Sequence, residues 1–165
     1  MGVTRPLWFR SPSPEATREA ARCLAAAIDD SGAVISLCGP LGAGKTLFVK
    51  GLAEGLGVDP AGVTSPTFAI AAEYRFGADR RLIHADLYRL ADAAELEAAG
   101  YLDWLEPGAV IAIEWGDRLR DALPADRLEV TIARPGSAPA ERSLEAVATG
   151  PSSGALLARW QRELG

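Results

Sequence analysis

Six mostly apolar residues, Ala33 to Cys38, run straight into Gly39-Pro40-Leu41-Gly42-Ala43-Gly44-Lys45-Thr46, and a helical pattern starts at Lys45. The octet has the form G-x-x-x-x-G-K-[S/T], a loop whose glycines let successive backbone N–H groups turn toward an anion. In a chain of 165 residues with 17 Gly, two Lys and 16 Ser plus Thr, roughly 0.002 chance occurrences of that pattern are expected. A continuous apolar strand is buried on both faces, which calls for a parallel sheet covered by helices. The expected fold is α/β, a three-layer P-loop NTPase fold. Its central sheet is mostly parallel, with helices on both faces and a late antiparallel strand pair.

The rest of the chain reads in the same terms. Leu7 to Arg10 suits a short edge strand. Ser13, Pro14 and Glu15 open a helix as N-cap, first helical residue and first-turn acid. A second helix runs from about Lys45 to Leu56 and stops at Gly57. Ala69–Phe76 and Leu82–Asp86 read as strands joined at Gly77-Ala78-Asp79. Asp92 caps a short helix, Ala109–Trp115 is another buried strand, and Leu128–Ala133 and Ser143–Ala148 are late strands. A helix from about Gly154 to Glu163 ends the chain. Residues 1–165 are expected to form a single P-loop ATPase domain.

Composition narrows the partners. Acidic residues outnumber basic ones, 22 to 17, for a net charge of −5. A free-standing nucleic-acid binder shows a basic excess, so neither DNA nor direct tRNA contact is expected. No apolar run is long enough for a transmembrane helix, and two cysteines suit a reducing cytosol better than a disulfide framework. The expected location is cytoplasmic, away from membranes.

Chemistry assigns roles around the loop. Lys45, one of only two lysines beside 15 arginines, supplies a compact ammonium for the β- and γ-phosphates. Thr46 offers a hydroxyl to Mg²⁺. A partner carboxylate is needed at the end of a buried strand, and Glu114 and Asp86 both qualify. Glu114 follows the cleaner apolar run, Val110 to Ile113, and takes the metal role with Thr46. Asp86 then positions the attacking water or holds a switch loop. His84 is a core or supporting hydrogen-bonding residue. Trp115 is either a core ring or a ring near the nucleotide. Thr64-Ser65-Pro66-Thr67 places three hydroxyls where a nucleotide-sensing segment could reach the γ-phosphate.

Absences exclude relatives of this fold. With no Asn in the chain, the Asn-Lys-x-Asp guanine reader of Ras-type GTPases cannot exist. The single Gln, Gln161, lies in the terminal helix, so no Ras-type glutamine orients water. The L-S-G-G-Q signature of transporter ATPases is missing. A small-molecule phosphotransferase remains the alternative, with Arg118 and Arg120 as a short candidate lid. A nucleotide-dependent interaction switch is the third reading.

Four segments occur together and in order: Gly39 to Thr46, Ser65-Pro66-Thr67-Phe68, His84-x-Asp86-x-Tyr88-Arg89-Leu90 and Ile113-Glu114-Trp115. From about Ser13 to Leu123 the chain resembles the TsaE (YjeE) family, bacterial ATPases of tRNA threonylcarbamoyladenosine synthesis. The resemblance implies binding of ATP and Mg²⁺ and slow hydrolysis by the subunit alone. It implies action with the partners TsaD and TsaB, which transfer threonylcarbamoyl to adenosine 37 of tRNAs reading codons that begin with A. The tRNA is then met only through those partners. By motif, Lys45, Asp86 and Glu114 are the catalytic set, and Thr46 and Glu114 the metal set. Nucleotide contacts fall on Gly39, Leu41, Gly42, Ala43, Gly44, Lys45, Thr46, Leu47, Thr67 and Trp115. Pro40 departs from the family, which more often has an acidic residue there.

Overall fold

The computed structural model describes residues 4–66, 69–136 and 138–165. Its strands are β1 (Leu7–Ser11), β2 (Ala33–Cys38), β3 (Ala71–Phe76), β4 (Arg80–Asp86), β5 (Val110–Glu114), β6 (Leu128–Ala133) and β7 (Arg142–Ala148). They form one sheet in the order β1-β7-β6-β2-β5-β4-β3. The central four, β6-β2-β5-β4, are parallel. Antiparallel strands close both edges, β3 on β4 and the pair β7-β1 on β6. The expected late antiparallel pair is therefore β6 and β7.

Helices α1 (Pro14–Ala27), α2 (Lys45–Leu56) and α5 (Pro151–Leu164) cover one face. The Ser13 hydroxyl accepts from Ala16 N at 3.2 Å, which satisfies an orphan donor of α1. Helix α1 lies backbone to backbone on α2. A Cβ on Gly51 would come 2.5 Å from the Arg18 carbonyl, so only glycine permits that approach. Trp160 of α5 is fully buried, stands edge-on to Phe9 and Phe48, and donates its indole N–H to Ala20 O at 2.9 Å.

The opposite face is thinner. Its cover comes from α3 (Ala93–Ala98), α4 (Tyr101–Trp104) and a 3₁₀ stretch over Gly116–Ala122. Ile83, Ala85, Ile111 and Ile113 pack there beneath Leu96, Tyr101, Trp104 and Leu123. Alternation along β5 sends Val110 and Ala112 to the first core and Ile111 and Ile113 to the second, as a strand buried on both faces requires.

Several element boundaries shift. Strand β3 starts at Ala71 rather than Ala69, β4 at Arg80 rather than Leu82, and α5 at Pro151 rather than near Gly154, while other strand ends move by one residue. The shift of α5 has a clear cause: Asp126 accepts from Ser152 N at 2.8 Å and Ser153 N at 2.9 Å, capping an earlier first turn. Helix α4 has four residues, too few to show a helical period in sequence.

Strand order positions the chemistry. Glu114, at the end of β5, pairs in register with Leu37 of β2 on one side and Asp86 of β4 on the other. The loop after β2 and the two carboxylates thus emerge side by side at the carboxyl ends of parallel strands, where open α/β sheets bind ligands.

Candidate phosphate-binding site

A cleft of about 310 Å³ opens at that edge. Leu41, Gly42, Gly44, Lys45, Thr46, Leu47, Ser65, Asp86, Glu114 and Trp115 line it. Gly39 and Ala43, also expected as nucleotide contacts, are not among the lining residues. Gly39 has φ +146°, and a Cβ there would meet Ile132 O at 2.3 Å, so glycine lets the loop turn against β6. Ala43 is fully buried. Thr67 lies outside the described residues, as does Phe68.

Lys45 heads α2, and its side chain folds back into the loop. Its ammonium donates to the carbonyls of Gly39 at 2.7 Å and Pro40 at 2.9 Å. Pro40 lacks an N–H, but its carbonyl also accepts from Ala43 N at 3.1 Å, closing the turn. The ammonium lies 3.9 Å from the centre of the Trp115 ring, within cation–π range. Lys45 is 4% exposed. Burial pulls its pKa below the usual lysine value, while the charges of Glu114, Asp86 and Asp117 oppose that shift. Trp115 takes a left-handed backbone, φ +60°, uncommon for a non-glycine residue, which brings its ring onto the cleft wall.

Thr46 and Glu114 meet across the cleft floor. The Thr46 hydroxyl lies 3.0 Å from each carboxylate oxygen of Glu114. Glu114 is 3% exposed, and its Oε2 is 2.5 Å from Nε2 of the fully buried His84. His84 and Glu114 stand on neighbouring strands, so this contact follows from register and is invisible in sequence spacing. The Nδ1 atom of His84 has no hydrogen-bond partner among the described residues.

Asp86 faces the other wall. It accepts from the Ser65 hydroxyl at 3.0 Å and from Tyr88 N at 2.9 Å. Its own N–H donates to Ile70 O at 2.8 Å. Ile70 has φ +63°, a costly conformation for a β-branched side chain, two residues beyond the Ser65–Phe68 motif. Tyr88 packs against Trp115, ring centroids 5.0 Å apart, and the Arg118 guanidinium stacks on Tyr88 at 5.6 Å.

These donors fit Mg²⁺. It prefers oxygen ligands and is held by one or two protein groups together with substrate phosphates and water. Thr46 and Glu114 offer a hydroxyl and a carboxylate beside the anion-binding loop. Among the described residues no group of three or more His, Cys, Asp or Glu side chains forms a metal cage.

Comparison with known proteins identifies the family. The model of the family described as threonylcarbamoyl adenosine biosynthesis protein TsaE matches residues 11–144. The chain belongs to the TsaE family. The match runs past Leu123, where the resemblance read from sequence ends, and takes in β6 and the start of β7. The tRNA threonylcarbamoyladenosine biosynthesis protein TsaE of Bacillus subtilis is 41% identical over 143 residues, 87% of each chain. TsaE of Streptomyces coelicolor is 43% identical over 105 residues, 63% of this chain and 70% of that one. The crystal structure of Bacillus subtilis YdiB superposes over the whole of both chains with a TM-score of 0.76 at 33% identity. TsaE is a P-loop family of tRNA modification. Among the described residues of this TsaE member, no helix is long and apolar enough to cross a membrane.

Proposed function

We propose that this protein is an ATP-binding, Mg²⁺-dependent ATPase subunit. Together with TsaD and TsaB it serves threonylcarbamoylation of adenosine 37 in tRNAs reading codons that begin with A. One observation carries the reading: Lys45, Thr46, Glu114 and Asp86 converge on a single cleft at the strand ends of a TsaE-family chain.

The phosphates of ATP lie against the Gly42–Leu47 backbone, at the positive end of α2. Lys45 leaves the Gly39 and Pro40 carbonyls, which hold it 2.7 and 2.9 Å away, and bridges the β- and γ-phosphates. Thr46 and Glu114 would hold Mg²⁺, with His84 fixing the Glu114 carboxylate from behind, and the ion would supply positive charge against the phosphates. Asp86 orients the attacking water and accepts its proton as the γ-phosphorus bonds to the water oxygen and the bond to the β,γ-bridging oxygen breaks. The chain holds no asparagine, and its only glutamine is Gln161, so the water falls to a carboxylate.

Ser65 ties the Ser65–Phe68 motif to Asp86. Presence or loss of the γ-phosphate is sensed through that tie and changes the surface offered to TsaD and TsaB. A chain of net charge −5 leaves the tRNA to those partners. A pull-down in ATP and in ADP tests this. TsaD and TsaB should be retained more strongly in ATP. Transfer of the γ-phosphate to a metabolite without any partner would instead make the protein a phosphotransferase.

A further inference from the structure

The β6–β7 hairpin, which the catalytic motifs do not include, reaches the back of the phosphate loop. Arg142, the first residue of β7, donates its Nε–H to Ala43 O at 2.8 Å. Its Nη1 donates to Pro139 O at 2.6 Å and Glu141 O at 2.8 Å, anchoring the same guanidinium in the hairpin turn. Arg134, just past β6, donates to Gly42 O at 2.9 Å. Gly42 has φ +76°, a left-handed backbone that favours glycine, and a Cβ there would lie 2.8 Å from the Arg134 Nη2 and displace that side-chain tip. Both arginines lie more than ninety positions along the chain from the carbonyls they hold.

We infer that Arg142 is a positioning residue for phosphate binding, with Arg134 supporting it; the inference rests on the nucleotide-binding reading of the cleft. In a trans peptide the C=O and the next N–H point in opposite directions. Holding the Ala43 carbonyl toward the hairpin therefore turns the Gly44 N–H away from it, and Gly44 lines the cleft. Arg134 acts on the preceding peptide: with Gly42 O held outward, the Ala43 N–H closes the turn onto Pro40 O at 3.1 Å. The loop's glycines make these peptides easy to rotate, so an external clamp limits what they lose on ordering around an anion.

Charge adds to geometry. Among the described residues no carboxylate pairs with Arg142, and its hydrogen bonds all go to backbone carbonyls. The half-buried guanidinium, bonded to carbonyl dipoles and not to a carboxylate, keeps part of its field on the phosphate loop, where Pro40 removes one N–H from the outer turn. Arginine suits the task because its planar fork reaches four carbonyls in fixed directions, those of Ala43, Pro139, Glu141 and, at 3.5 Å, Gly42, which an ammonium on a flexible stem does not.

The test uses the full chain and ADP in EDTA, so that Mg²⁺ ligands play no part. Titration calorimetry compares wild type, Arg142→Met and Arg142→Lys, with melting temperature and the Gly44 amide resonance recorded on each. Arg142→Met should bind ADP about tenfold more weakly with the melting temperature close to wild type. Its Gly44 amide should be displaced without ligand and respond less to ADP, and Arg142→Lys should recover part of the affinity. ADP affinity within twofold of wild type in Arg142→Met, or an undisturbed Gly44 amide, would overturn the inference. So would a lowered melting temperature with unchanged affinity per folded molecule. Failure of the wild-type protein itself to bind ADP would overturn the nucleotide reading, and this inference with it.

Discussion

The hydroxyl of Thr46 lies 3.0 Å from both carboxylate oxygens of Glu114, although 68 positions separate the two residues. The contact joins the first turn of α2 to the end of β5 and sets an alcohol and a carboxylate at hydrogen-bonding distance beside the phosphate loop. That pair is what a phosphate-bound Mg²⁺ needs from a protein.

Glu114→Gln keeps the shape and an acceptor for Thr46 but removes the charge. Mg²⁺-dependent ATP turnover should fall about a hundredfold or more, as loss of a metal-holding charge does. ADP binding in EDTA should change by less than a few fold. Steady-state ATPase assays beside calorimetry in EDTA check this. Unchanged turnover would move the metal role to Asp86.

Lys45→Ala removes the ammonium that sits on Gly39 O and Pro40 O. A charge-assisted contact is worth about 1.5–3 kcal/mol, and in the proposed function this cation reaches two phosphates. ATP affinity should drop by about a hundredfold or more. The fold should persist, because the core beneath the loop is built from Ala43, Phe48 and Val49 rather than Lys45. Calorimetry with ATP, paired with circular dichroism, is the check, and affinity within a few fold of wild type would reject the assignment.

How much of this is legible in sequence depends on the kind of contact. The phosphate loop is read directly, since its glycines and lysine follow one another along the chain. Glu114 and Asp86 are read as strand-end carboxylates. That they stand opposite one another is set by β4 lying beside β5, a consequence of sheet order. His84 carries a weak signal, a lone histidine two residues before Asp86 and so on one strand face with it. Its bond to Glu114 comes from register between strands and has no sequence period. Arg134 and Arg142 carry no signal at all, since their partners are backbone carbonyls, which any residue supplies. The four-residue α4 is too short to betray itself by periodicity.

His84→Leu tests that register contact. His84 is fully buried, and its Nε2 sits 2.5 Å from Glu114. Leucine fills the space but leaves that carboxylate oxygen without its strand neighbour. Loss of a residue that orients a metal ligand typically costs about 10–100-fold in metal affinity. Mn²⁺ binding to the ADP complex, followed by electron paramagnetic resonance, should weaken by about that factor, and His84→Gln should recover part of it. Equal Mn²⁺ affinity in all three proteins would reduce His84 to packing.

Trp160→Ala addresses the fold rather than the site. The indole is fully buried between Phe9 and Phe48, and its N–H is satisfied by Ala20 O. Truncation should cost about 3–5 kcal/mol in urea unfolding. ADP affinity of the folded fraction should stay near wild type, because α5 lies away from the cleft. A cost below about 1 kcal/mol, less than the usual effect of a large core truncation, would mean that α5 contributes little to the core.

The central claim is that ATP turnover in this cleft drives tRNA modification through the partners, and Asp86→Asn isolates it. The variant leaves Lys45, Thr46 and the loop amides in place, so ATP affinity should hold. Hydrolysis should fall at least about tenfold, or about 1.4 kcal/mol of transition-state stabilisation. The decisive measurement is multiple-turnover threonylcarbamoylation of tRNA by TsaD and TsaB with wild-type or Asp86→Asn protein, with ATPase rate read on the same preparations. The account predicts that modification falls together with hydrolysis. Modification at the wild-type rate with hydrolysis abolished would contradict it and leave the protein as an ATP-dependent interaction switch.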